Sequence, residues 1–264
     1  MKNTIICFVF IFLSKSLAAQ DLFFDYGESY YKAVSNIVVA DSEKGTFNLG
    51  VNYEFQSVQA QMIYNLTKKY FAFGTYNFDN SSLNYTPLLG SNRTLEKQNS
   101  GFSLGVGIQE LGRIGNYKNL ELLAGFESQK VNNFDFFTND LPEEKDHLKQ
   151  KYFKIFTQFN MMKCRENFDF GYSLKFSYLK FTHFEYNNEN YFNNKSVFLL
   201  DPTLNFNYKF LPKKNLVLTS QIGVSTALNN LESQSVNGNS TYYNSGYLIS
   251  PILRFGIQYR FNMQ

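Results

Sequence analysis

The chain has no tryptophan, only five prolines, two histidines and two cysteines among its 264 residues. After the first twenty residues it also has no apolar run approaching the roughly 20 residues that a spanning helix needs. Its mean hydropathy is slightly negative, -0.31, which sets it apart from helical membrane proteins. Cys7 lies within the N-terminal apolar run with no small residues ahead of it, so it does not read as a lipid-modified cysteine. Once that run is removed Cys164 stands alone, and neither an internal disulfide nor a cysteine zinc cluster can form. Strong charge of one sign is missing too: the formal net charge of +3 falls to +1 when residues 1–19 take Lys2 and Lys15 with them. A near-neutral chain has no long-range attraction for nucleic acid.

What is abundant is phenylalanine, 29 residues, and tyrosine, 19, which a soluble α/β protein rarely carries together at 18% of the chain. The N-terminus "MKNTIICFVFIFLSKSLAAQ" places Lys2, an apolar run over 5–13 and the small residues 16–19 in the order of a secretory signal. Cleavage is expected after Ala18 or Ala19. The chain then divides into a signal peptide (1–19), an N-terminal extension (20–43) and one domain (44–264). The extension is expected to lie along the periplasmic rim or to enter the domain as a plug, with a further β segment at "NIVVA" left open.

Alternation of apolar and small polar residues recurs through that domain. In "TFNLGVNYEF" (46–55) Phe47, Leu49, Val51, Tyr53 and Phe55 oppose Asn48, Gly50, Asn52 and Glu54. In "GFSLGVGIQEL" (101–111) Phe102, Leu104, Val106 and Ile108 oppose Ser103, Gly105, Gly107 and Gln109. Period-2 patterning of this kind marks strands with one greasy face. Further segments at 57–66, 70–78, 119–129, 152–162, 168–181, 196–210, 215–228 and 247–263 bring the total to about ten strands of the length a tilted membrane strand needs. The facing of 70–78 is ambiguous, because aromatics fall in both alternating sets. Pro202 and Pro251 each remove a ladder donor, so a bulge is expected at both.

The connections alternate as well. From the second strand onward short polar links ("LTKK", "GRIGNYKN", "KCREN", "LPKKN") take turns with long ones at 79–98, 131–149, 182–195 and 229–246. This parity is expected of a barrel threaded from one side of a membrane, with tight turns facing the periplasm and loops facing outward. Volume then assigns the faces. The bore of about ten strands is little wider than side chains fill, so the bulky set belongs outside and the small polar set inside. The fold expected is all-β, a closed antiparallel up-and-down transmembrane β-barrel of about ten strands, with eight or twelve left open; the competing reading is a soluble sandwich or ligand-carrying barrel.

With these strands, this link parity and a last strand "LRFGIQYRF" of alternating aromatics, the chain resembles the small outer-membrane β-barrel proteins of Gram-negative bacteria, in composition those of the Bacteroidota. The resemblance implies residence in the outer membrane after export, contact with its lipid and lipopolysaccharide, and recognition of the last strand by the barrel assembly machinery. The chain departs from the usual form in that Asn262, Met263 and Gln264 follow Phe261.

Six charged residues fall on the inward set: Glu121, Glu127, Lys154, Lys175, Asp201 and Arg254. Charges of both signs in a narrow tube are expected to pair, and a plugged or gated path for small polar solutes or ions is the functional alternative. An aromatic girdle is expected from Phe168, Phe170, Tyr208, Tyr259 and Phe261 at the turn side and Tyr53, Phe55, Phe126 and Tyr178 at the loop side. His183, with Glu185, Asp201 or the loop acids Asp140 and Asp146, would be the material of an outer-leaflet hydrolase resembling the omptins, but no facing pair of aspartates matches. Solvated loop residues are the plainer account of both His147 and His183. The acidic run Asp140, Glu143, Glu144 and Asp146 lacks the oxygen spacing of a calcium loop.

The reading is a barrel without catalysis, cofactor or metal, monomeric, with a structural or surface-binding role. Its Asn-, Tyr- and Ser-rich loops suit a glycan or protein partner. The narrow channel and the omptin-like hydrolase are the alternatives.

Overall fold

The computed structural model describes residues 37, 44–54, 57–85, 93–115, 117, 119–137, 146–186, 189–190, 196–210, 215–229 and 249–262. The strands are β1 (Thr46–Glu54), β2 (Ser57–Asn65), β3 (Tyr70–Tyr85), β4 (Arg93–Ile108), β5 (Asn119–Phe137), β6 (Asp146–Cys164), β7 (Phe168–Tyr186), the two-residue β8 (Glu189–Asn190), β9 (Ser196–Lys209), β10 (Leu216–Ala227) and β11 (Ile249–Asn262). Each pairs antiparallel with the next around a ring, except that β8 only extends β7 and β7 continues directly to β9. Pairing of β1 with β11, from Thr46↔Asn262 to Glu54↔Arg254, closes the ring at ten strands. Closure leaves no edge strand in the ring, which hydrocarbon requires because an orphaned backbone group there costs several kcal/mol.

The outward face is apolar and uncovered. Val51 and Val106 are each 61% exposed, and Leu49, Met62, Phe78, Leu104, Phe126, Ile155, Phe176 and Ile257 share their face. An apolar surface of this extent, continuous around the ring, has hydrocarbon as its natural solvent. Tight turns join strands at one end. In the first, the Thr67 hydroxyl accepts the Lys69 and Tyr70 N–H groups at 3.1 and 3.0 Å.

The wall is uneven. β1 and β2 have nine residues each, the length of one tilted span, whereas β5, β6 and β7 have 19. At about 3.3 Å per residue the longer strands reach roughly 60 Å, about twice what the hydrocarbon needs. Much of the chain expected as long loop at 79–98, 131–149 and 182–195 is therefore paired strand. The reason is that above the membrane neither face has to be apolar, so the alternation that reveals a strand disappears while the hydrogen bonding continues. Segment 80–85, for example, pairs with 93–98 throughout.

Two further expectations change. Pro251 sits in regular register opposite Val224, because the register alone positions it and no bulge forms there. The β9–β10 pairing is interrupted beside Pro202, between Thr203↔Gly223 and Leu200↔Thr226, but the register is the same on both sides, so no bulge forms there either. The interruption leaves an outward apolar groove lined by Phe159, Tyr172, Leu174, Pro202, Leu204 and Ile222. An irregularity the sequence did not suggest shifts the β6–β7 register between Lys151 and Tyr152, skipping Thr182.

The bore is not lined by small groups alone. Phe71, Phe73, Tyr152, Phe156, Phe181 and Phe184 all point into it and are buried. This settles the facing of 70–78: Phe71, Phe73, Thr75 and Asn77 are inward, Tyr76 and Phe78 outward. The glycine face of β4 explains how the rings fit. A Cβ on Gly107 would lie 2.2 Å from Cζ of Phe71, and one on Gly105 would lie 2.4 Å from Cζ of Phe73. Gly125 on β5 similarly admits Phe156, at 2.8 Å. The small residues are thus seats for the aromatic rings of the directly opposed residues on the neighbouring strand, Phe71 on Gly107, Phe73 on Gly105 and Phe156 on Gly125. These rings pack with Ile37, Ile63 and Leu123 into a lower apolar tier. Val131, Leu148, Tyr152, Leu179, Phe181, Phe184, Val197 and Leu199 form a second tier toward the loop end.

Gly107→Leu should therefore evict the Phe71 ring and lower unfolding stability by about 1–3 kcal/mol, measured by urea titration in lipid vesicles. Gly107→Leu combined with Phe71→Ala should recover most of the loss, whereas equal stability of Gly107→Leu and the parent would refute the seat.

Candidate functional site

Between the two apolar tiers lies a layer of buried charge. Glu127 on β5 faces Lys154 on β6, with Nζ 2.7 Å from Oε1, and Lys175 on β7 approaches the other carboxylate oxygen at 3.8 Å. Lys175 is in register opposite Asp201 of β9, whose Oδ1 accepts the Ser225 hydroxyl from β10. Across the bore Arg254 of β11 is in register opposite Glu54 of β1 and donates from Nη1 to Gln61 Oε1 at 3.3 Å. The Asn52 amide donates to Gln59 at 3.0 Å and to Gln61 at 3.3 Å, joining this half of the layer to β2. Three carboxylates (Glu54, Glu127, Asp201) and three cations (Lys154, Lys175, Arg254) therefore cancel within one layer, and all six are buried.

Aromatic rings bound the layer. Lys175 Nζ sits 4.4 Å from the centroid of Phe156 below, and Lys154 Nζ 5.9 Å from that of Tyr152 above. Contacts of this kind offset part of the desolvation of each ammonium. The parity of the strands places the charges inward, and barrel closure brings residues from β1 and β11 to the same rung.

Of the six inward charges read from the sequence, five meet in this layer. Glu121 lies apart, toward the turn end, where Asn160 donates to it at 2.7 Å and Asn119 at 2.9 Å. Asn160 also donates at 2.8 Å to the carbonyl of Ile37, whose N–H donates to Gln158 at 3.2 Å. Glu54, Ser225 and Gln61 complete the layer and were missed. Glu54 stands on the polar side of "TFNLGVNYEF", so its direction was legible, but its partner lies some two hundred residues away. A second buried pair, Lys209 with Asp169 at 2.8 Å, was likewise unread.

The aromatic residues named for the girdle that fall among the described residues, Tyr53, Phe126, Phe168, Phe170, Tyr178, Tyr208, Tyr259 and Phe261, all lie on the outward side of the wall. At the turn end they join rings outside the expected girdle set: Phe47 packs on Phe261 at 5.2 Å, and Phe206 on Phe170 at 5.1 Å. Phe55 lies outside the described residues, as do the signal peptide, Asp140, Glu143, Glu144 and all of the N-terminal extension but Ile37. Cys164 ends β6 beside the turn, half-buried and in no disulfide.

The histidines are not in the bore. His183 and Glu185 both face outward on β7, 3.3 Å apart, and Lys149 binds the same carboxylate at 3.0 Å. That hydrogen bond, with the charge of Lys149, holds the Glu185 carboxyl below its ordinary range. His147 stacks on Phe134 at 4.1 Å and contacts Asn132 at 2.7 Å, and burial pushes its pKa down. Asp201 points into the bore, on the opposite side of the wall from His183, so the two form no common site. Among the described residues no group of three His, Cys, Asp or Glu is placed to hold a metal ion.

No protein-family model matches the chain, and no curated protein matches it as a relative. Among solved structures it is similar to the outer-membrane protease OmpT from Escherichia coli, with a TM-score of 0.52 and 14% identity over 82% of this chain and 94% of that one. It is also similar to the translocator domain of the autotransporter NalP from Neisseria meningitidis, with a TM-score of 0.44 and 13% identity over 82% and 87%. The KdgM porin follows at a TM-score of 0.36 and 10% identity over 82% and 99%. The first likeness speaks to the fold and nothing finer; the other two are too distant to carry an argument.

Lys154→Met should leave Glu127 short of its nearest cation and cost about 3–5 kcal/mol of unfolding stability in vesicles, whereas adding Glu127→Gln to it should return most of that loss. Equal stability of the parent and the single variant would mean that the pair is dispensable.

Proposed function

We propose that the chain resides in the outer membrane as a sealed, non-catalytic barrel whose work is done by binding at its raised rim. The observation that carries this reading is the filling of the bore: an apolar tier, a charge-balanced layer and a second apolar tier succeed one another along its length. An ion entering the lower tier would meet the rings of Phe71, Phe73 and Phe156, and the amides beside them, Gln158 and Asn160, are already bonded to the Ile37 backbone. In this reading the extension 20–43 acts as a plug through Ile37, which sits in the lower tier with its backbone bonded to Gln158 and Asn160.

The strands β5, β6 and β7 lift the loop end well above the hydrocarbon, and the links read from the sequence as outer loops, such as "EYNNENYFNNKS" and "VNGNSTYYNSG", are rich in amide, hydroxyl and aromatic groups. Such side chains suit adaptable contacts with a glycan or a protein. The hydrolase alternative has His183 beside a carboxylate, but Lys149 already engages that carboxylate.

The purified barrel in planar bilayers should show no discrete conductance steps at high protein load. Steps of uniform size would overturn the sealed reading in favour of a channel. A peptide- or lipid-cleaving activity of intact cells that His183→Ala abolishes would overturn the non-catalytic one.

A further inference from the structure

The outward face of β5, β6 and β7 can be followed rung by rung toward the loop end. Phe126, Ile155 and Tyr178 share one rung, with Phe198 of β9 beyond them. The next holds Ser128, Phe153 and Lys180, and the one above it Lys130, Lys151 and His183. Within two rungs, roughly 13 Å of strand, the surface changes from wholly apolar to wholly basic.

Lys130 and Lys151 stand directly opposite each other, both exposed. Lys180 is opposite Phe153 and so diagonal to Lys151. Like charges at directly opposed positions repel and destabilise the strand pair. Among the described residues no carboxylate is paired with Lys130, Lys151 or Lys180: Glu185 is engaged by Lys149 and His183, and Glu96 lies four residues beyond Ser100, the β4 partner of Lys130. Among the described residues the lysine rungs meet neutral outward positions on the neighbouring strands: Ser100 on β4 and then Phe78 on β3 continue from Lys130, and Ser196 on β9 continues from Lys180.

We propose that this sector binds a phosphorylated glycolipid of the outer leaflet, its acyl chains along Phe126, Ile155 and Tyr178 and its phosphates at the ammonium groups of Lys130, Lys151 and Lys180. A lipid is the occupant because the cations adjoin the hydrocarbon-facing surface without a break. A phosphate held there relieves the repulsion that the register imposes. The inference rests on the outer-membrane reading and adds to it a place on the wall and the three lysines that hold the lipid there.

The test uses the full mature barrel in lipid nanodiscs containing bisphosphorylated lipid A or its dephosphorylated counterpart. The parent should retain the phosphorylated lipid through native mass spectrometry. Lys130→Gln/Lys151→Gln/Lys180→Gln should weaken retention on the order of 100-fold, each lysine counting for about fivefold at an anionic surface. Lys163→Gln, near the turn end, should not change it. In the dephosphorylated lipid the triple variant should melt above the parent, because the repulsion is gone. Equal retention by parent and triple variant would overturn the site, as would full reproduction of the phosphorylated-lipid stabilisation by inorganic phosphate in the dephosphorylated discs. Failure to insert into any bilayer would instead sink the outer-membrane reading itself.

Discussion

Hydrocarbon offers no hydrogen-bond partner to a peptide group, and from that single fact the rest of the molecule follows. A sheet placed there must close on itself, and in this chain β1 finds β11 to complete ten strands. Closing the sheet fixes the volume of the bore, so what lines it is a packing problem with a set answer. The wall meets it with two complementary surfaces. Bare backbone at Gly105, Gly107 and Gly125 receives Phe73, Phe71 and Phe156 projecting from other strands.

That packing in turn makes the charged layer tolerable. Six ionisable groups far from water would each be costly to charge alone. Here they occur as three of each sign, with Phe156 beneath and Tyr152 above. Replacing such a layer with apolar residues of the same volume is often neutral or stabilising in other proteins. Its presence is better understood as a constraint on register, because Glu127 meets Lys154, Lys175 meets Asp201 and Glu54 meets Arg254 only when the strands are correctly paired.

The uneven height of the wall carries the functional argument. The low side at β1 and β2 barely spans the membrane, while β5 to β7 stand well above it and hold their charges on the outer surface. The likeness to the fold of an outer-membrane protease does not transfer chemistry, since the described histidines lie on the outside of the wall and away from the buried carboxylates.

Strand parity, the outward direction of Leu49, Phe126 or Ile257, and the inward direction of Glu127, Lys154 and Arg254 were all legible in the sequence. Alternation is a local property, enforced wherever the two faces meet different solvents. The facing of Phe71 and Phe73 was not legible, because an aromatic ring is acceptable to lipid and equally to a glycine-lined bore. The choice depends on Gly105 and Gly107, some 35 residues further along. The upper halves of β5, β6 and β7 were hidden for a related reason: above the membrane, water permits polar side chains on both faces. Which charge meets which, from Glu54 with Arg254 to Lys130 opposite Lys151, was decided only by closure and register. These are properties of the assembled ring, because they bring together residues whose separation along the chain carries no trace of their contact.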